Sequence, residues 1–522
     1  QNMTSSKNII GLAAIVSLGG FLFGFDAGII SGVMNYAGPF FVLSDTQTGW
    51  AVSCPTFVAM FAMLISGKLS DVVGRKPILI IVAFLYALSA LLSAIAWSFF
   101  WLCFARMVGG FAFGAALILA PTYIAEISSA ANRGKLVSIQ QLNIVLGFFA
   151  AFLSNLLFND WFEGGATFLS EANVWRWMLG VELLPAVFYF FFLLAVPRSP
   201  RWLFSQGRTE EGKAVLVKLH GETVAAEEIK AIQSSLSEES NVKKTSLGNS
   251  LAQLFHPSLR YILGIGLLIG ILQQATGINA VYFYATTIFK QTGIGVSAAF
   301  FSGVLLSFTS VVFTLVAMAT IDRFGRRPLL LAGIAGIAIS MLACSYGFYG
   351  ATYQLTNEDI AVLEKDNASI ESGALLPIAG KLFESDVEFK NNMNKLLGKN
   401  YAKSEGVILE AAIEMNAMLV LLGVLGFIAC FAFSLGPVMW VMLSELYPNR
   451  IRGLAIGCIG FVNSFTAWLV TQLFPWELSN LGNAASFLIF GVIASIGFFI
   501  LLKSLPETKG KTLEQIEAEF IK

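Results

Sequence analysis

The sequence predicts an all-α membrane protein with twelve membrane-crossing helices arranged as two related six-helix halves. Three observations carry that expectation. The 522 residues are 56% hydrophobic and only 13% charged, with a mean hydropathy of +0.73; soluble domains hold about 25% charged residues. Apolar stretches of bilayer length, about 20 residues, recur near 9–31, 49–66, 77–97, 99–125, 136–158, 175–196, 259–289, 297–321, 328–350, 412–444, 451–475 and 484–504. Finally, Gly67-Lys-Leu-Ser-Asp71-Val-Val-Gly74-Arg75-Lys76-Pro77 returns 251 residues later as Asp322-Arg-Phe-Gly325-Arg326-Arg327-Pro328, each copy between two apolar stretches. An internal repeat of membrane halves is how many secondary transporters are built, which makes a solute carrier the expected class.

The first apolar stretch is too long for a signal peptide and lacks a small-residue cleavage pattern. The chain opens on Gln1, which implies a trimmed or altered N-terminus. Lysines and arginines crowd the short loops on one side: Lys68, Arg75 and Lys76, then Arg133 and Lys135, then Arg323, Arg326 and Arg327, then Arg450 and Arg452. The short loops opposite hold almost none, so both termini and both hinges are expected in the cytoplasm.

Two polar segments interrupt the spans. Residues 198–257 carry amphipathic charged runs and read as a cytoplasmic helical linker; residues 351–411 form an external insertion. The insertion either caps the outer mouth or is a solvated helical excursion, and the solvated excursion is the expectation. It contains a formal glycosylation triplet, Asn367-Ala-Ser369, of a kind common by chance. The expected organisation is an N-terminal bundle over 1–197, the linker 198–257, a C-terminal bundle over 258–504 and a cytoplasmic tail over 505–522.

Net charge is zero, which gives no sign of nucleic-acid binding. Five cysteines (Cys54, Cys103, Cys344, Cys430, Cys458) fall inside apolar spans without a CxxC pair, so no disulfide framework, metal site or cofactor is expected. The two histidines, His220 and His256, lie in the linker, which leaves intramembrane proton chemistry to carboxylates.

The repeat extends beyond its hinge. Glu126 precedes Arg133-Gly134 by seven residues, and Glu445 precedes Arg452-Gly453 by seven, where the fourth span of each half meets the fifth. Carboxylates and guanidiniums so clustered can form charge-assisted bonds that clamp the inner side and break when the halves rock apart. The clamp set is Asp71, Arg75, Glu126, Arg133, Arg201, Asp322, Arg326, Glu445 and Arg452.

Gln273, Gln274 and Asn279 lie in the apolar seventh span, loosened by Gly277. Amides both donate and accept, as sugar hydroxyls do, and an unpaired amide there is costly. Amides also join neighbouring membrane helices, so the span alone leaves both readings open.

An ordered set of motifs resembles the sugar porter family of the major facilitator superfamily over nearly the whole chain apart from the insertion. It comprises Phe23-Gly-Phe-Asp26-Ala-Gly-Ile-Ile-Ser-Gly, the two hinges, Tyr123-Ile-Ala-Glu126 with Arg133-Gly134, and Pro197-Arg-Ser-Pro200-Arg201-Trp202-Leu203. Gln273-Gln274-Ala-Thr-Gly-Ile-Asn279, Gly436-Pro437-Val-Met-Trp440 with Ser444-Glu445, and Pro506-Glu507-Thr508-Lys509-Gly510 complete it. The resemblance implies a monosaccharide substrate, a monomer and alternating access. It implies sugar contacts at Gln141, Gln273, Gln274, Asn279, Trp440 and Asn463, with Phe23, Phe283 and Tyr284 lining the path. It also implies that Gly436-Pro437 breaks the tenth helix beside Trp440.

The chain departs from the family pattern at several of these places. Ser464 stands where a tryptophan is usual, Trp468 lies one turn on, Ser310 replaces a frequent asparagine, and Phe283-Tyr284 replaces two tyrosines. Arg198 stands where the family has a clamp acid, so one inner pair is expected to be missing or rearranged.

Asp26 resembles the proton-coupled members, whereas animal facilitators are neutral there. At about 1.5 Å rise per residue it lies about 25 Å along its span, and Arg106 and Glu182 lie about 10 Å from the opposite surface. The three share a depth suited to a relay: Arg106 holds the Asp26 carboxylate, and protonation or a shift of Arg106 toward Glu182 releases it. A passive facilitator with Asp26 structural, and a non-transporting sugar sensor, remain the alternatives; the 16 residues after Pro506 are short for a sensor tail. No nucleophile–base set suggests an enzyme. A bacterial inner membrane is the expected location.

Overall fold

The computed structural model describes residues 2–129, 133–241, 254–447 and 449–507. The tail beyond Glu507 and the linker stretch 242–253, both assigned above, lie outside the described residues, as do the side chains of Arg133 and Asp322. Among the described residues, twelve helices are long and apolar enough to cross a membrane, from Ile9–Phe41 to Asn483–Ser504. A helix pairs its own backbone groups, which is what hydrocarbon demands of a crossing segment. Counting crossings, both Gly-Arg hinges and the linker fall on one side of the bilayer, the hinge side. The insertion falls on the other, the insertion side.

Among the described residues, three spans are interrupted. The sixth breaks between Val174–Gly180 and Leu183–Ala195. The seventh splits into Arg260–Ala275, Ile278–Phe283 and Ala285–Lys290, with Gly277 at φ 99° before the second piece. Positive φ there is the conformation glycine tolerates best. The tenth breaks between Ala417–Phe433 and Leu435–Leu446 at Ser434, with φ −125° and ψ −96°. This corrects the expectation that Gly436-Pro437 makes the break. Gly436 and Pro437 sit in the first turn of the new helix, where an N–H has no intrahelical acceptor and proline costs nothing.

The described residues gather into two compact units. The first comprises Gln1–Asp26, Cys54–Phe148 and Gly180–Phe255. Its core runs through Val82, Tyr86, Ala112, Leu119, Tyr123 and Tyr189. Small residues let its backbones touch: a Cβ on Gly24 would meet the Ile144 oxygen at 2.0 Å, and one on Gly147 the Phe21 oxygen at 2.1 Å. The linker supplies helices Pro200–Ser205, Thr209–His220 and Glu222–Asn241, which share a small core of Phe204, Leu216 and Ala225.

The second unit comprises Ala27–Ser53, Phe149–Leu179 and His256–Lys522. It therefore holds the insertion-side ends of the first and fifth spans. The insertion belongs to it and is a folded body, not a solvated excursion. Antiparallel strands Thr352–Tyr353 and Ile413–Glu414 close its base. Helices Asn357–Asp366, Asp386–Leu397 and Lys399–Ala412 enclose a core that includes Phe383, Phe389, Met393 and Ile408. Thr356 and Asp359 form a capping box on the first of these helices. The segment reads as polar because each helix offers only a narrow apolar stripe, and three such stripes make the core.

Candidate functional site

In the first unit, Tyr86 donates to the Gly19 carbonyl at 3.1 Å and Tyr189 to the Val16 carbonyl at 3.2 Å. These two bonds fix the first span against the third and sixth, and with it Asp26. Arg106 Nη1 lies 3.3 Å from Asp26 Oδ1, and both side chains are almost fully buried. Asp26 Oδ2 is buried without a hydrogen-bond partner. Glu182 is also buried, at the break of the sixth span, within electrostatic reach of both Asp26 and Arg106. The Arg106 guanidinium thus stands within electrostatic reach of two buried carboxyls. With both carboxyls ionised, two acids and one base leave one negative charge unbalanced, which is costly at low dielectric. Phe23 packs on Phe113 and Phe148 one turn below, with centroids at 4.9 and 6.3 Å.

Gln141 is half-buried on the fifth span. Its neighbour Gln140 was not singled out from sequence, yet it is buried with both amide atoms unpartnered. Two adjacent glutamines on an apolar helix were the available signal, as they were at Gln273 and Gln274.

In the second unit the predicted amides meet. Gln273 Nε2 donates to the Leu435 carbonyl at 2.9 Å and to that of Gly436 at 3.4 Å, which are carbonyls beside the Ser434 break. Asn463 Nδ2 donates to Gln273 Oε1 and to the Gly270 carbonyl, both at 2.8 Å. Gln274 Nε2 lies 3.4 Å from Gln273 Oε1 and from Asn463 Oδ1, and Gln274 Oε1 is buried without a partner. The cluster leaves one oriented acceptor over, suited to a hydroxyl donor. Asn279 stands half-buried on the short helix after Gly277. Trp440 is 42% exposed. Phe283 and Tyr284 are buried, and the Tyr284 hydroxyl donates to the Thr471 carbonyl at 2.8 Å. Ser310, at one of the departures, accepts from the Tyr282 hydroxyl at 2.5 Å. Ser464 is half-buried, and Trp468 packs on Phe465 at 5.6 Å.

The expected clamp residues form a separate cluster in each unit. In the first, Arg75 reaches Asp71 at 2.9 Å and Glu126 at 2.9 Å. Ser199 donates to Glu126, Trp202 Nε1 donates to the Asp71 carbonyl at 3.1 Å, and Arg201 donates to Ser235 at 3.2 Å. Asp71, Arg75, Glu126, Arg201 and Trp202 line a cavity of about 590 Å³. The Arg198 guanidinium lies 5.8 Å over the Trp202 ring. In the second unit Arg326 pairs with Glu445 at 2.8 Å, and Arg452 Nε donates to the Tyr447 carbonyl at 3.2 Å.

A profile described as sugar (and other) transporter matches residues 12–373 and 401–520. The arabinose-proton symporter of Bacillus subtilis is 33% identical over 98% of this chain and 95% of its own. The D-xylose-proton symporter of Escherichia coli K12 is 29% identical over 98% and 96%. Among solved structures, the inward-open xylose transporter XylE from E. coli superposes with a TM-score of 0.74, at 27% identity over 98% of this chain and 100% of that one. The twelve spans, the repeated hinges and these matches establish the chain as a multi-pass membrane protein with the major facilitator fold, and it belongs to the sugar transporter family.

Proposed function

We propose that this protein carries a monosaccharide, a hexose or a pentose, across the membrane together with a proton by alternating access. The observation that carries the reading is the buried Asp26, with one oxygen on Arg106 and the other unpartnered. The second oxygen is where a proton would sit, and Glu182 completes the proposed relay. The names of the arabinose and xylose relatives support both the sugar and the proton.

Gln273, Gln274, Asn279, Asn463 and Trp440 are the proposed sugar contacts in the second unit, with Phe283 and Tyr284 as the gate beside them. Gln141 and Phe23 are the proposed contacts in the first. The paired Arg75, Glu126 and Asp71, with Arg201 and Arg133, form one proposed inner gate cluster. Arg326, Glu445 and Arg452, with Asp322, form the other. We further propose that the hinge side and both termini face the cytoplasm of a bacterial inner membrane, that the halves are 1–197 and 258–504 joined by the linker 198–257, and that the carrier works as a monomer.

The test is uptake of labelled hexoses and pentoses into proteoliposomes with and without an inward proton gradient. Gradient-driven accumulation of one sugar, lost in Asp26→Asn while equilibrative exchange persists, is the expected result. Equilibration without accumulation in the parent protein would make it a facilitator and Asp26 a structural ion-pair partner.

A further inference from the structure

Lysine is rarely buried without partners that restore what water supplied. Lys290 ends the last helical piece of the seventh span and is only 7% exposed. Its ammonium donates to Asn35 Oδ1 at 3.1 Å and lies 3.4 Å from Glu405 Oε2. Asn35 belongs to the insertion-side end of the first span, and Glu405 to the last helix of the insertion. One turn earlier on both helices, Ser31 donates to Thr286 Oγ1 at 3.0 Å and accepts from the Thr286 N–H at 2.9 Å. The two contacts share a sequence offset of 255 residues, so the two helices run side by side as a ladder. Gly32 packs the same stretch of the first span against its other neighbours: a Cβ there would meet Asn155 of the fifth span at 2.5 Å and Phe300 of the eighth at 2.7 Å.

The lysine's two partners differ in kind. Asn35 is a neutral acceptor on the first span. Glu405 is an anion on a folded body fastened elsewhere in the same unit. Gln291 donates to Glu405 at 3.0 Å. Asp386, on another helix of the insertion, accepts the Asn483 N–H that opens the twelfth span, at 2.8 Å. Gly406 lies flat against the lysine stem. Losing Asn35 would therefore leave Lys290 neutralised and in place, whereas losing Glu405 would leave a buried cation with one neutral acceptor.

We propose that Lys290 is the bolt of the insertion-side gate. Its bond to Asn35 holds the first span shut against the seventh, and the insertion, through Glu405, positions the lysine in both gate states. Lys290 and Glu405 are positioning residues for the transport cycle, and the insertion is a working part of the gate. The inference rests on the alternating-access reading but not on the sugar or the proton.

The test measures alkylation of Ser31→Cys in nanodiscs by a polar maleimide, read at position 31 by peptide mass spectrometry. Ser31 is buried under the ladder, so the parent labels slowly. Asn35→Leu and Glu405→Gln are each expected to speed labelling at least threefold, and Lys290→Arg, which keeps the charge, to leave a rate near the parent. Sugar exchange by the same variants, measured separately, keeps a failed gate distinct from a failed transport reading. Labelling of Asn35→Leu at the parent rate, in protein that melts like the parent, would overturn the bolt. So would a position 31 that never labels in any variant.

Discussion

The two Gly-Arg hinges are the same device built twice, and they differ most in what caps the helix that follows. In each, a glycine with positive φ (Gly74 at 102°, Gly325 at 87°) turns the chain from one span into the next. In each, the following arginine reaches back to the carbonyl five residues earlier, Ser70 at 2.9 Å and Ile321 at 3.4 Å, and pairs with the glutamate ending a later span. The next basic side chain binds a carbonyl near the end of the half's last span, Lys76 to Leu194 at 2.8 Å and Arg327 to Leu502 at 2.9 Å. In the second half, Glu507 after Pro506 accepts the backbone N–H groups of Arg326 and Arg327 at 3.3 and 3.1 Å. It caps the new helix where the macrodipole favours an anion. In the first half, Arg198 follows Pro197 in that place and lies over Trp202 instead. Backbone geometry has been kept in both copies. Divergence is concentrated where the chain continues into the linker, whose Ser199 and Trp202 take over the tying.

The strongest way to break the comparison is Arg75→Leu beside Arg326→Leu. Glu126 is 8% exposed and Glu445 27%, so the first change takes the guanidinium from a buried carboxylate and the second from a wetter one. A loss of about 3–5 kcal/mol is expected for Arg75→Leu and about 1–2 kcal/mol for Arg326→Leu, read as melting shifts in detergent. Equal shifts would mean the two hinges are energetically alike.

Ser199→Ala comes next. It removes both a donor to Glu126 and the cap of helix Pro200–Ser205, and about 2 kcal/mol is expected. No loss would mean that the linker only leans on the bundle. Glu507→Ala should cost about 0.5–1 kcal/mol through the uncapped helix, seen most clearly as faster amide exchange at Arg326 and Arg327. The smallest effect sharpens the comparison from the other side. Arg198→Glu should supply the absent cap and gain about 0.3–1 kcal/mol; a loss would mean that stacking on Trp202 matters more.

The twelve spans were legible because a bilayer imposes a length and an apolarity that few other contexts do. The break in the seventh span was legible in Gly277, since glycine marks a conformation. The break in the tenth was misplaced because Gly436-Pro437 carries the same letters whether it ends a helix or opens one, and Ser434 carries no signal. The amide cluster was legible because polar side chains in hydrocarbon need partners. Its internal pairing, with Asn463 orienting Gln273, was not, because the two lie 190 residues apart. The pairing of Lys290 was not legible for the same reason: Asn35 lies 255 residues before it, and Glu405 well beyond it in the insertion. The core of the insertion was hidden by helices too short for periodicity to stand out from their charges.

The insertion departs and returns through one pair of strands, Thr352 opposite Glu414 and Tyr353 opposite Ile413. Its entrance and exit are therefore neighbours, and nothing in its length dictates the separation of the ninth and tenth spans. A module whose ends meet can lengthen or shorten in its own loops without moving those two spans apart, so long as its ties at Glu405 and Asp386 are kept. Those loops are a natural place to graft a fluorescent reporter or an affinity handle onto the carrier.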